Sequence, residues 1–238
     1  MRPAPARRVA LLGGGFSTDD DGLLDDWVLA QAPAPRPRVS FVPTASGDAD
    51  AYVEQFLDAF HGRDCRPSVL RLFRRELDDE ELRTYLLSQD IVYVGGGSTA
   101  NLLAVWRAHG VDRLMREAHS RGALVCGISA GANCWADACH TDSFGPLTPL
   151  RDGLGLVAGS VCPHYDSEPG RCTSYRTSVA QGHLPAGWAL EDGVGVLLEN
   201  GRFKEGVTRS RGSRAYRVVT NGANLAEERE LTCRPLGR

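Results

Sequence analysis

The chain lacks any paired C-x-x-C spacing: its seven cysteines, at 65, 126, 134, 139, 162, 172 and 233, are odd in number and scattered. That pattern excludes a zinc ribbon and a disulfide scaffold, and the thiols are expected to be reduced, as in a cytosolic protein. Long hydrophobic runs are also missing. In the N-terminal MRPAPARRVALLGGG only Val9 to Leu12 are continuously apolar, too few for a signal-peptide core, and no later segment nears the ~20 apolar residues of a membrane span. Neither export nor membrane attachment is expected, and the location expected is cytoplasmic. There is no excess of one charge: the net charge is -3 and the arginines are spread rather than striped, so the footprint of a nucleic-acid binder is absent. Histidine, cysteine, aspartate and glutamate never gather at ligand spacing, which argues for no metal. Neither GGGSTA (95–100) nor GGGFST (13–18) completes G-x-G-x-x-G, and no lysine follows as in a P-loop, so no nucleotide cofactor is expected. No internal repeat occurs. Low complexity is confined to APAPRPR at 32–38, which reads as a surface loop between a helix and the second strand.

What is present fits one α/β domain over residues 1–238. Of the 238 residues, 42% are hydrophobic and 24% charged, enough to bury a core without covalent staples and too few for two catalytic domains. The first half alternates short apolar runs with longer amphipathic stretches, the pattern of parallel strands joined by crossover helices. Strands are predicted at 9–12, 39–42, 68–72, 91–94 and 124–127, and helices at 21–31, 49–61, 78–87, 99–109 and 112–121. Leu102, Leu103 and Trp106 share one face of the fourth helix and should pack on the sheet. The expected fold is a mostly parallel central sheet flanked by helices on both faces. In the glycine- and proline-rich second half, strands near an edge are predicted at 194–198, 202–205 and 215–219, the first two joined as a hairpin by Asn200-Gly201.

The run LVCGISAGANCW (124–135) breaks an apolar strand with a serine between glycines. Gly127-Ile128-Ser129-Ala130-Gly131 fits the G-x-S-x-G elbow, in which a strand ends in a tight turn, a helix starts at once and the serine is lifted clear of the sheet. The helix N-terminus favours a developing negative charge, so the Ala130 N–H is a ready oxyanion donor. The plainer reading is a serine capping a helix after a buried strand. A second glycine cluster, Gly95-Gly96-Gly97, follows the strand IVYV and would open at the same end of a parallel sheet. There Gly96 or Gly97 can supply a second oxyanion donor.

A serine nucleophile needs a base, and six histidines are available. His61, His109 and His119 lie at helix ends before the serine, where histidine usually meets solvent or the dipole. His164, in VCPHYDSE, follows an apolar run and a proline, so a loop could carry its ring over the elbow. His140 and His183 stay behind it as alternatives.

With these pieces in place, the chain resembles the peptidase E and cyanophycinase family of serine peptidases. The matching segments are FVPTAS (41–46), VGGGSTANLLAVW (94–106), GISAGANCW (127–135), TDSFGP (141–146), DGLGL (152–156) and PHYD (163–166). The resemblance implies a fold similar to class I glutamine amidotransferases, flavodoxin-like in outline, with serine where those enzymes carry cysteine. It makes Ser129 the nucleophile and His164 its general base, with Ala130 and the Gly96–Gly97 loop as the oxyanion hole. The family's acid sits in a motif of the form L-P-E-G, and Leu190-Glu191-Asp192-Gly193 puts Asp192 in that place. Glu191, Asp142 and Glu199 remain alternatives. The family's acidic substrates call for a cation near the histidine, for which Arg171 and Arg176 in GRCTSYR are the candidates, unless both are solvated loop arginines.

The function expected is hydrolysis of short peptides, with Asp-X or Glu-X favoured, through a serine, histidine and acid and an acyl-enzyme, by a monomer or homodimer. An esterase or amidase using the same residues, and a non-catalytic binding module on the same fold, are the rival readings.

Overall fold

The computed structural model describes residues 5–14, 21–32, 34–222 and 224–237. Residues 15–18 of the GGGFST segment and Pro33 of the proline-rich loop lie outside them. The first half alternates strand and helix: β1 (Arg8–Leu12), α1 (Leu23–Ala30), β2 (Arg38–Val42), α2 (Asp50–His61), β3 (Arg66–Val69), α3 (Asp79–Leu87), β4 (Ile91–Val94), α4 (Thr99–Ala108), α5 (Val111–Ser120) and β5 (Leu124–Ile128). Local chemistry marks the boundaries. Asp78 and Glu81 form a reciprocal capping box at the start of α3, and the Ser98 hydroxyl caps α4. β3 stops short of the predicted 68–72 because the buried Asp48 carboxylate takes the N–H groups of Leu72 and Phe73, at 2.7 and 2.8 Å, and turns the chain away.

After β5 come α6 (Ala130–Asn133), β6 (Ala136–Thr141), β7 (Thr148–Leu150), β8 (Val157–Cys162), α7 (Arg171–Ala180), β9 (Gly187–Leu190), β10 (Val194–Glu199), β11 (Arg202–Thr208), β12 (Ala215–Thr220), β13 (Ala226–Glu230) and β14 (Cys233–Pro235). The central sheet has eight strands in the order β14-β11-β10-β1-β5-β4-β2-β3. From β1 to β3 it is parallel throughout. β10 and β11 extend it as the antiparallel hairpin, turning at Asn200 and Gly201, whose φ angles of 51° and 76° are those of a type I′ turn. β14 covers the hairpin's outer edge.

Strand alternation distributes the core. Ala10, Leu12, Phe41, Tyr93 and Cys126 meet Trp27 and Val28 of α1 and Val53, Phe56 and Phe60 of α2 on one face. Val9, Leu11, Val92, Val94 and Val125 meet α3, α4 and α5 on the other. There Leu102, Leu103 and Trp106 are buried as predicted. The same cluster takes in Val161, Trp188, Leu190 and Ala215 of a second sheet. This six-stranded sheet, β13-β12-β9-β8-β6-β7, is the main feature absent from the sequence expectation, and 215–219, placed at an edge of the central sheet, belongs to it. Its outer face is covered by α7 through Tyr175 and Val179. No helix among the described residues is long and apolar enough to cross a membrane.

Candidate active site

The parallel strands end together on one side of the central sheet, and there β5 runs into α6 through Ser129. The serine adopts φ 56° and ψ -117°, a region L-residues occupy only when their surroundings hold them there. The flanking glycines explain how. A Cβ on Gly131 would run into the Val94 carbonyl of the neighbouring strand, and one on Gly127 into the Gly131 carbonyl. The elbow is therefore pressed against β4 more closely than any other residue allows, while Ser129 itself stays partly exposed.

His164 reaches the same end of the sheet from the loop after β8. Its own φ is 52°, and its N–H bonds the Gly13 carbonyl at 3.3 Å. Gly13 follows Leu12 and Ser129 follows Ile128, and Leu12 pairs with Ile128 in adjacent parallel strands, so histidine and serine are carried by neighbours about 4.8 Å apart. The imidazole Nδ1 bonds Asp192 Oδ1 at 2.8 Å. That bond is the largest influence on Asp192 and lowers its pKa against the opposing effect of burial; the His164 charge, Ser167 and Arg171 add to the lowering. The carboxylate thus stays ionised and accepts the Nδ1 proton, which leaves Nε2 as an acceptor. The turn that presents it is pinned: the Asp192 N–H bonds Asp166 at 3.0 Å, and the Gly193 N–H bonds the Gly14 carbonyl at 3.1 Å.

Similarity to known proteins bears on what this arrangement does. Residues 9–206 match Peptidase family S51. The chain is 43% identical over 220 residues, 92% of its length and 94% of the relative's, to the uncharacterized peptidase YgaJ of Bacillus subtilis. This chain belongs to peptidase family S51. It is also 30% identical over 206 residues to a peptidase E of Streptomyces coelicolor, covering 80% of this chain and 81% of the other. Two solved structures share the fold: a putative peptidase E protein from Listeria monocytogenes, with a TM-score of 0.64 and 22% identity over 86% of this chain and all of the other, and a peptidase from an acI-B1 actinobacterium, with a TM-score of 0.67 and 16% identity over 96% and 95%. The S51 chain is a serine-type peptidase.

The other residues picked from the S51 chain's sequence lie elsewhere. Glu191 faces the opposite side of the turn, where it accepts the Arg214 N–H at 2.7 Å and the Tyr216 hydroxyl at 3.2 Å. Asp142 is exposed in the turn after β6. Glu199 stands at the far end of β10 paired with Lys204 at 3.3 Å, because β10 runs antiparallel to β1 and carries its last residue to the opposite end of the sheet. The two arginines open and line α7 and do not lie in a loop. Arg171 is buried, with its guanidinium spent on the Glu168 carboxylate and the His140 carbonyl. Arg176 pairs with Glu228 of β13 at 3.6 Å on the outer face of the second sheet. His140 is fully buried, its Nε2 within 2.9 Å of the Ser174 hydroxyl, and burial, aided by Arg171, lowers its pKa to about 4. His183 is exposed after α7.

The oxyanion donors need one correction. The Gly96 N–H is already engaged by the Tyr52 hydroxyl at 3.1 Å, whereas the Ala130 and Gly97 N–H groups make no hydrogen bond with a described residue. Sequence reasoning also missed Gly13 and Gly14, treated only as an incomplete nucleotide loop. A Cβ on Gly14 would strike Asp192 Oδ1 and lie 3.0 Å from His164 Cε1, so the histidine and its acid rest on bare backbone. The signal available was position: a glycine pair directly after the first strand of a parallel sheet, at its ligand-binding end.

Proposed function

We propose that this peptidase cleaves short peptides by nucleophilic catalysis with Ser129, His164 and Asp192. The observation that carries the reading is the 2.8 Å bond between His164 Nδ1 and Asp192 Oδ1, made at the same end of the sheet as a serine in an elbow turn. Asp192 fixes the proton on Nδ1, and Nε2 takes the Ser129 proton as Oγ attacks the scissile carbonyl. The imidazolium then protonates the leaving amine, and water activated by the same nitrogen frees the acyl group. The oxyanion meets the Ala130 and Gly97 N–H groups.

A short peptide is the substrate that the resemblance to peptidase E favours. A preference for Asp-X or Glu-X has little support, since Arg171 and Arg176 are held by Glu168 and Glu228. In a panel of Asp-X, Glu-X and neutral dipeptides, acidic first residues are expected to be cleaved no faster than neutral ones. Ser129→Ala should lower kcat/KM by at least about 10³-fold and abolish labelling by a serine-directed phosphonate while the circular dichroism spectrum is retained. Labelling that persists in Ser129→Ala would sink the assignment.

A further inference from the structure

Gly96 lies against the serine: a Cβ at that position would stand 3.3 Å from Ser129 Cβ and 3.8 Å from Ser129 Oγ. Its N–H donates to Tyr52 Oη at 3.1 Å. A phenol oxygen that accepts one hydrogen bond still has a proton to give, and no described residue accepts it. We propose that the Tyr52 hydroxyl is itself a donor of the oxyanion hole, standing in for the Gly96 N–H that holds it. The inference rests on the serine chemistry proposed above.

Packing sets the ring. Tyr52 stands in the first turn of α2, edge-to-face against Phe41 at 5.2 Å, and Phe41 in turn stacks on Phe56 at 4.5 Å. The ring also covers Gly95, where a Cβ would come within 2.8 Å of Cε1. The residue is nevertheless only partly buried. Burial raises the phenol pKa and the Asp25 carboxylate adds to this, outweighing the Gly96 N–H, which lowers it. The group therefore enters the reaction as a neutral O–H donor.

Negative charge appears on the carbonyl oxygen as Ser129 Oγ adds. The Gly96 N–H, donating into the phenol oxygen, polarises the O–H bond beyond it and strengthens what Tyr52 gives to that charge. No proton changes owner: the hydrogen stays on Tyr52, and the bond to the oxygen tightens as the tetrahedral intermediate forms. Such a contact is stronger in the transition state than with the bound substrate, so its loss should appear in kcat rather than KM.

The test compares wild type, Ser129→Ala, Tyr52→Phe and protein carrying 3,5-difluorotyrosine at position 52 on one dipeptide. Tyr52→Phe is expected to lower kcat by about 10²-fold, the scale of a lost oxyanion donor, with KM within about twofold. It should also weaken a peptide aldehyde, whose hemiacetal with Ser129 puts an oxygen in the hole, by a factor matching the loss in kcat/KM. The fluorinated residue keeps the ring and the Gly96 bond but ionises at lower pH, so its kcat should gain an alkaline limb that wild type lacks. A Tyr52→Phe kcat within about twofold of wild type overturns the proposal. So does a loss in that variant with an unchanged pH profile in the fluorinated protein, which would make Tyr52 a strut for the loop. Activity surviving in Ser129→Ala would bring down the serine reading and Tyr52 with it; with that variant inactive, failure touches Tyr52 alone.

Discussion

Ser129 and His164 share an unusual property, a positive φ on a residue with a full side chain, at 56° and 52°. Strain of this kind persists only where neighbouring contacts over-determine the backbone, and here the contacts are the β4 carbonyl edge for one and the Gly13 carbonyl for the other. Asp192 shows how roles divide at this scale. Asn in its place preserves the shape but presents an amide to Nδ1, so the wrong tautomer becomes available; Asp192→Asn should lower kcat by about 10²- to 10⁴-fold with little change in KM. Asp142→Asn and Glu199→Gln, assayed beside it, should stay within about threefold of wild type. One is exposed in a turn, and the other is paired with Lys204 at the far end of its strand.

Elements make the glycines informative. Gly131→Ala drives a methyl group into the backbone of β4, which cannot move aside, and should cost about 2–4 kcal/mol in urea unfolding. Gly14→Ala meets a side chain instead: Asp192 can swing away, so stability should fall by only about 1 kcal/mol while peptide turnover collapses because the His164 bond breaks. The parallel half of the fold is legible from sequence because each strand is a short apolar run followed by a helix with one apolar face. The second sheet is not legible. Its strands, ADACHT, VAGSVC and GWAL among them, mix small and polar residues and pair with partners distant in the chain, and α7 carries so few apolar residues that GRCTSYR reads as a loop. The elbow and His164 stand out by motif and by position after a strand. Tyr52 and Gly14 do not, because what marks them is a contact across the fold.

Over the whole molecule, acid acts on groups in α5, in β6 and in the turn before β10. His119 and His140 are buried, and burial lowers both pKa values to about 4, with Arg7 and Arg171 contributing. The unfolded chain, with histidines near 6.5, then binds more protons than the folded one, so stability is full above about pH 6.5 and is lost as pH falls toward 4. Asp192, whose pKa is lowered by His164, extends the loss below the ordinary carboxylate range. Urea midpoints should fall steadily from pH 7 to pH 4, and His140→Gln and His119→Gln should each flatten that slope even where they lower the midpoint at pH 7. The chain's order has a further effect. β10, the strand that follows the Asp192 turn, docks on β1, the first strand made, so the nascent chain leaving the ribosome carries Ser129 through the synthesis of 63 further residues (192 − 129) before it has the acid proposed to arm it. On the proposed mechanism, a peptidase assembled in this order stays inert toward its own unfinished copies and toward the peptides around them until β10 has docked.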